Sequence, residues 1–88
     1  MSFKLSIVSP GGKIFEGTVD SIAVSGTEGA FEVYSEHMPL VSSLKAGRAR
    51  VRRANRETAY EITSGILEVD PEHNVTLLAE QATAVIST

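Results

Sequence analysis

Hydrophobic and polar positions alternate along almost the whole chain. Phe3, Leu5 and Ile7 are separated by Lys4 and Ser6, the period of a strand with one buried face. Ser9-Pro10-Gly11-Gly12 breaks the pattern with turn residues. From Lys13 to Val24 the chain is again strand-prone, but its inward parity slips between Val19 and Ile22. That slip predicts a bulge or bend near Asp20, with Gly17 as the other candidate position. Ser25 to Gly29 reads as a loop, Phe31 and Val33 as a strand, and Ser35 to Pro39 as its end. Leu40 to Leu44 is short and apolar, and Lys45-Ala46-Gly47 turns the chain.

The second half keeps the rhythm. Ala49 and Val51 alternate with Arg48, Arg50 and Arg52, and Ala54 to Glu57 reads as a hairpin tip. The return strand, Thr58 to Thr63, sets Tyr60 and Ile62 on one face. Gly65 interrupts, Ile66 to Val69 follows, Asp70 to Asn74 turns, and Val75 to Ala79 and Ala82 to Ile86 close the series. Only Glu80 to Ile86 would pass as helix, and it is too short to stand alone. The expectation is all-β: an antiparallel β-sandwich of about nine or ten short strands.

Length and composition narrow this further. Eighty-eight residues suit a single domain spanning 1–88, because a second core would leave each half too little apolar surface to bury. The hydrophobic share of 42% and the charged share of 22% are those of a globular chain. There is no cysteine, which excludes disulfides, a thiolate nucleophile and thiolate zinc sites. A net charge of −3 gives no global attraction to nucleic acid or anionic membranes. The first residues carry neither a secretory nor a transit signal pattern, so a cytoplasm-like compartment is the default.

The search for chemistry yields little. Gly11-Gly12-Lys13 lacks the earlier Gly and the following Ser or Thr of a phosphate loop. Gly26-Thr27-Glu28-Gly29 is followed by no helix and suits a surface loop better than a dinucleotide site. His73 sits among Asp70 and Glu72 in a tight turn, which cannot easily converge three ligands on one ion. His37 has no cysteine partner and no nucleophile-elbow motif nearby, so a structural or interface role is preferred to that of a base. The most pointed feature is Arg48 to Arg56, which holds five of the eight Lys and Arg residues. Arg48, Arg50 and Arg52 share one strand face. A phosphate-binding ribbon is one reading. Against it, no aromatic is interleaved for stacking, and Glu57 and Glu61 on the return strand can offset the charge.

Five segments in register carry a resemblance. They are Leu5-Ser6-Ile7-Val8-Ser9-Pro10 followed by Ile14-Phe15-Glu16-Gly17; Val24 to Gly29; Glu36-His37-Met38-Pro39-Leu40 running on to Gly47; Thr63 to Val69; and Val75 to Glu80. Together, from Phe3 to Ile86, the chain resembles the N-terminal sandwich domain of the epsilon subunit of F-type ATP synthases. The resemblance implies a non-catalytic rotor subunit of the central stalk in a proton-translocating synthase. Such a subunit joins the gamma subunit to the c-ring and needs no cofactor. Position by position, it puts His37, Met38, Pro39, Leu40 and Ser42 on the gamma-facing surface with Ser9 beside them. Glu28, Gly29 and Ala30 then point toward the c-ring loops. It implies a peripheral location on the cytoplasmic face of a bacterial inner membrane, or the stromal face of a thylakoid. Ala30 stands where many relatives carry an acid; Glu36 and Met38 replace Gly and Ala, and Ser64 replaces a Gly. The helical hairpin that follows this domain in many relatives is expected to be absent, and with it inhibition by extended helices and ATP binding.

Overall fold

The computed structural model describes residues 1–85, and every regular element among them is a strand. The ten strands are β1 (Phe3–Ser9), β2 (Gly12–Val19), β3 (Ser21–Gly26), β4 (Gly29–Tyr34), β5 (Leu40–Leu44), β6 (Gly47–Arg53), β7 (Arg56–Ile62), β8 (Gly65–Val69), β9 (Val75–Ala79) and β10 (Ala82–Val85). Their hydrogen-bonded order is β10-β7-β6-β3-β5-β8-β9-β1-β2, with β4 paired to β3. The path is thin at one point: β3 and β5 share the single pair Gly26↔Leu44. Two layers result, β4-β3-β6-β7-β10 and β5-β8-β9-β1-β2. All pairings are antiparallel except β1 with β9. Those two strands are far apart in the chain, with β2 to β8 from both layers between them, which supplies the long connection that a parallel pairing requires.

The core follows the period-two positions. Phe3, Leu5, Ile7, Val24, Val33, Val51, Tyr60, Ile62, Leu67, Val69, Val75 and Leu77 are all buried between the layers. Phe15 packs against them from the edge, its ring 6.4 Å from that of Tyr60 and tilted by 55°. Leu5, Ile7, Ile22, Val33, Leu67 and Leu77 are wholly enclosed. Each such side chain contributes about 1.5–3 kcal/mol of transfer free energy.

The parity slip foreseen near Asp20 is the break between β2 and β3, where Ser21 and Ile22 are both buried. Gly17 is not the bend. It lies within β2 opposite Leu5, and a Cβ there would press on the Phe15 ring at 3.2 Å. The ladder irregularity falls instead at Ile14, skipped between the pairs Ile7↔Phe15 and Val8↔Lys13. The arginine hairpin is tighter than its sequence suggests. Arg53 pairs with Arg56 across a two-residue tip of Ala54 and Asn55, with Ala54 at φ 56°. Strand β4 begins two residues before Phe31, at Gly29. In the last predicted strand, β10 runs to Val85, and Ile86 lies outside the described residues.

Candidate functional site

The residues singled out by the resemblance fall in the β4–β5 loop, on β5, at the end of β1 and at the β3–β4 hairpin. His37, Met38 and Pro39 form the loop from β4 to β5, with Met38 76% exposed. Leu40 and Ser42 lie in β5 opposite Val69 and Leu67. They take the inward parity, and Leu40 packs against the core. The outward positions of that strand are Val41, 71% exposed, and Ser43. Ser9 ends β1. It does not lie beside His37. Pairing through β8, β9 and β1 sets it level with Leu44, at the opposite end of the same sheet.

Near the Ser9 end an apolar row crosses the outer face of this sheet. Ser43 pairs with Ile66, Ile66 with Leu78, and Leu78 with Val8. All four point away from the core. Ile66 is 43% and Leu78 48% exposed. Val8, Pro10, Leu44, Ile66 and Leu78 line an open groove of about 590 Å³. The sequence did carry a signal. Ile7-Val8, Leu40-Val41, Ile66-Leu67 and Leu77-Leu78 are each apolar at both parities, the mark of strands covered on both faces. A contiguous exposed patch of this kind marks an interaction surface.

Glu28, Gly29 and Ala30 are exposed at the β3–β4 hairpin. Gly26 pairs with Gly29 around the two-residue tip Thr27-Glu28, and Gly29 takes φ 131°, open chiefly to glycine. The tip is tied down: Thr27 N–H donates to the Ser43 carbonyl at 3.0 Å and Lys45 N–H to that of Ser25 at 3.0 Å. It stands at the Ser9 end of the molecule, next to the turns at Pro10, Ser64 and Glu80.

Side-chain chemistry on these surfaces is sparse. His37 and His73 each use Nδ1 on a backbone carbonyl, of Met38 at 2.8 Å and of His37 at 3.1 Å. Among the described residues no three His, Asp or Glu side chains gather as metal ligands. On the other layer the arginine face is largely met by acids, with Arg48–Glu61 and Arg52–Glu57 both at 3.7 Å. Exposed pairs of this kind contribute at most about 1 kcal/mol. The Tyr34 hydroxyl donates to Glu32 at 2.7 Å, which raises its pKa above the ordinary phenol value, with some help from burial. Burial alone raises that of Tyr60.

The structure is thus an all-β block with an apolar row on one outer face and a hydrogen-bonded end hairpin. Its family is a specific one: the chain belongs to the ATP synthase delta/epsilon chain β-sandwich domain family, matched over residues 2–85. The ATP synthase epsilon chain of Alkalihalophilus pseudofirmus is 36% identical over 81 residues, covering 92% of this chain and 60% of that one. That of Shouchella clausii gives the same identity and coverage. That of Halalkalibacterium halodurans is 36% identical over 78 residues, covering 89% and 58%. The chain thus spans about three-fifths of the length of the curated relatives it matches. Among solved structures, the Euglena gracilis mitochondrial ATP synthase (OSCP/F1/c-ring) holds a chain with a TM-score of 0.89 and 21% identity, covering 94% of this chain and 53% of that one. The central stalk/c-ring of the Tetrahymena thermophila enzyme gives 0.79 and 13%, covering 93% and 66%. At these identities the two share the fold.

Proposed function

We propose that this chain is a single domain serving as a non-catalytic central-stalk subunit of a proton-translocating ATP synthase, coupling the gamma subunit to the c-ring. The observation that carries the reading is the apolar outer row Val8–Leu78–Ile66 on a domain of this family. Such a row costs solubility unless a partner covers it. In this reading gamma lies along the outer face of β5-β8-β9-β1, from Met38 and Val41 at one end to Ser9 at the other. Leu40 and Ser42 support that face from behind. The Glu28-Gly29-Ala30 hairpin, at the Ser9 end of that face, meets the polar loops of the ring. The catalytic residues for ATP formation belong to other subunits, no cofactor is needed here, and the domain sits peripherally at the cytoplasmic face of the membrane.

Torque must cross this joint without slip, so the grip on gamma should be of the obligate kind, commonly 2,000 Å² or more in roughly sized terms. Mixing the chain with its cognate gamma subunit should give one co-eluting complex on size exclusion; two separate peaks would count decisively against the reading. The chain has no cysteine, so Glu28→Cys supplies a unique thiol. Its crosslinking to a c-ring loop cysteine tests the second contact.

A further inference from the structure

We propose that His73 is a positioning residue, clamping the loop that carries His37 and Met38 in the shape the gamma subunit meets. The inference rests on the docking role just described and assigns it a residue outside the docking face itself.

The loop from Ser35 to Pro39 has little to hold it. Among the described residues it makes two side-chain hydrogen bonds. One is internal, His37 Nδ1 to the Met38 carbonyl at 2.8 Å. The other comes from 36 residues away: His73 Nδ1 donates to the His37 carbonyl at 3.1 Å. Glu36 within the loop takes φ 62°, a conformation a non-glycine side chain holds only when its surroundings impose it. Met38 next to it is 76% exposed. A loop free to sample other shapes would have to be ordered when the partner arrives, and association would slow accordingly.

The donor is itself held firmly. The β8–β9 turn is built around Asp70, whose Oδ1 accepts the N–H of Glu72 and of Asn74, both at 2.9 Å. Its backbone closes the turn with Asp70 N–H to the Asn74 carbonyl and His73 N–H to the Asp70 carbonyl, again at 2.9 Å. Inside this frame His73 adopts φ 69°, which aims its ring across the gap to the neighbouring loop. Order therefore passes from the Asp70 turn through one imidazole to the His37 carbonyl. Asp70-Pro71-Glu72-His73 looks in sequence like a solvated turn; in space it is the anchor of another loop.

Three variants separate the bond from the backbone. Asparagine offers an N–H near the place of Nδ1 and tolerates positive φ, so His73→Asn should bind cognate gamma as tightly as the parent chain. Glycine accepts the backbone but has no donor, so His73→Gly should bind about three- to tenfold more weakly, the worth of one neutral hydrogen bond. The loss should lie mainly in the association rate. His73→Ala should behave like His73→Gly, with a lower melting temperature added by its strained φ. Equal affinity of the Gly and Asn variants would overturn the proposal. Amide exchange of the free chain tests the clamp with no partner present. Glu36 to Met38 should exchange faster in His73→Gly than in His73→Asn, and identical protection would sink the clamp. If the parent chain itself fails to bind gamma, the docking role is wrong, while the exchange data still decide whether His73 orders the loop.

Discussion

The carboxylate of Asp20 accepts the backbone N–H of Ala54 at 2.8 Å, joining two turns 34 residues apart. Asp20 sits where β2 gives way to β3, and its own N–H donates to the Arg52 carbonyl at 2.8 Å. The bend between β2 and β3 and the tip of the arginine hairpin are therefore one hydrogen-bonded corner. Asp20→Ala removes an acceptor without removing packing, and should lower stability by about 1 kcal/mol in urea unfolding. Ala54 holds φ 56°, where an L side chain is strained, so Ala54→Gly should raise stability by about 0.5 kcal/mol. No loss in Asp20→Ala would show that solvent replaces the bond without cost.

Leu77 and Leu78 are neighbours with opposite fates. Leu77 is wholly enclosed, whereas Leu78 is 48% exposed in the outer row. Leu77→Ala should cost about 2–5 kcal/mol by leaving a cavity between the layers. Leu78→Glu should leave the melting temperature nearly unchanged. Placed in the row with Ile66 and Val8, it would bury an unpaired charge under gamma and weaken binding at least about a hundredfold. A Leu78→Glu chain that still co-elutes with gamma would move the interface off this face.

The same pair shows what the sequence discloses. Period-two alternation in Phe3-Leu5-Ile7, Tyr60-Ile62 and Val75-Leu77 predicts both the strands and their buried face, because a half-buried strand has only that way to hide its apolar side. The β2–β3 break was legible too, since Val19 and Ile22 cannot share a parity. The bulge at Ile14 was not: its cause is the pairing of β1 with β2, and nothing local to Ile14 announces it. Resemblance named His37, Met38 and Ser9, but pairing order alone shows that Ser9 and His37 stand at opposite ends of the sheet. The outer row was written in doubled apolar residues such as Ile66-Leu67. Alternation reads such a doublet as noise until the register sets Ser43, Ile66, Leu78 and Val8 side by side. The link from His73 to His37 spans 36 residues and leaves no local trace at all.

Gly65 stands where β8 begins, opposite Ala79 and Leu44. A Cβ there would collide with the Leu78 carbonyl oxygen and crowd the Ala79 Cα at 3.1 Å. Both obstacles are backbone, so neither can turn aside as a side chain would. Gly65→Ala should force β8 and β9 apart and cost about 1–3 kcal/mol, with a weakened grip on gamma because Ile66 and Leu78 lose their register. Gly12→Ala makes the contrast. No atom lies within 4 Å of its Cβ, and its penalty should come from φ 132° alone. Equal stability of Gly65→Ala and the parent chain would mean that β8 and β9 part without cost at this point.

Alkaline pH offers a test of the core that needs no partner. Burial raises the pKa of the Tyr60 phenol above its ordinary 10.0, because phenolate loses water at the layer interface beside Phe15. The sign follows from proton counting. Above pH 10 the unfolded chain releases this proton while the folded chain keeps it, so the folded state binds more protons and stability falls as pH rises. The stabilising contribution is complete below about pH 10 and disappears as pH climbs through the folded pKa. Urea midpoints measured from pH 8 to 11 should hold steady and then decline, and Tyr60→Phe should flatten that decline. Tyr34 is also shifted upward, chiefly through its bond to Glu32, but it lies 57% exposed, so Tyr34→Phe should change the slope far less. If the Tyr34 variant rather than the Tyr60 variant removes the alkaline loss, the buried phenol is not where the two layers meet.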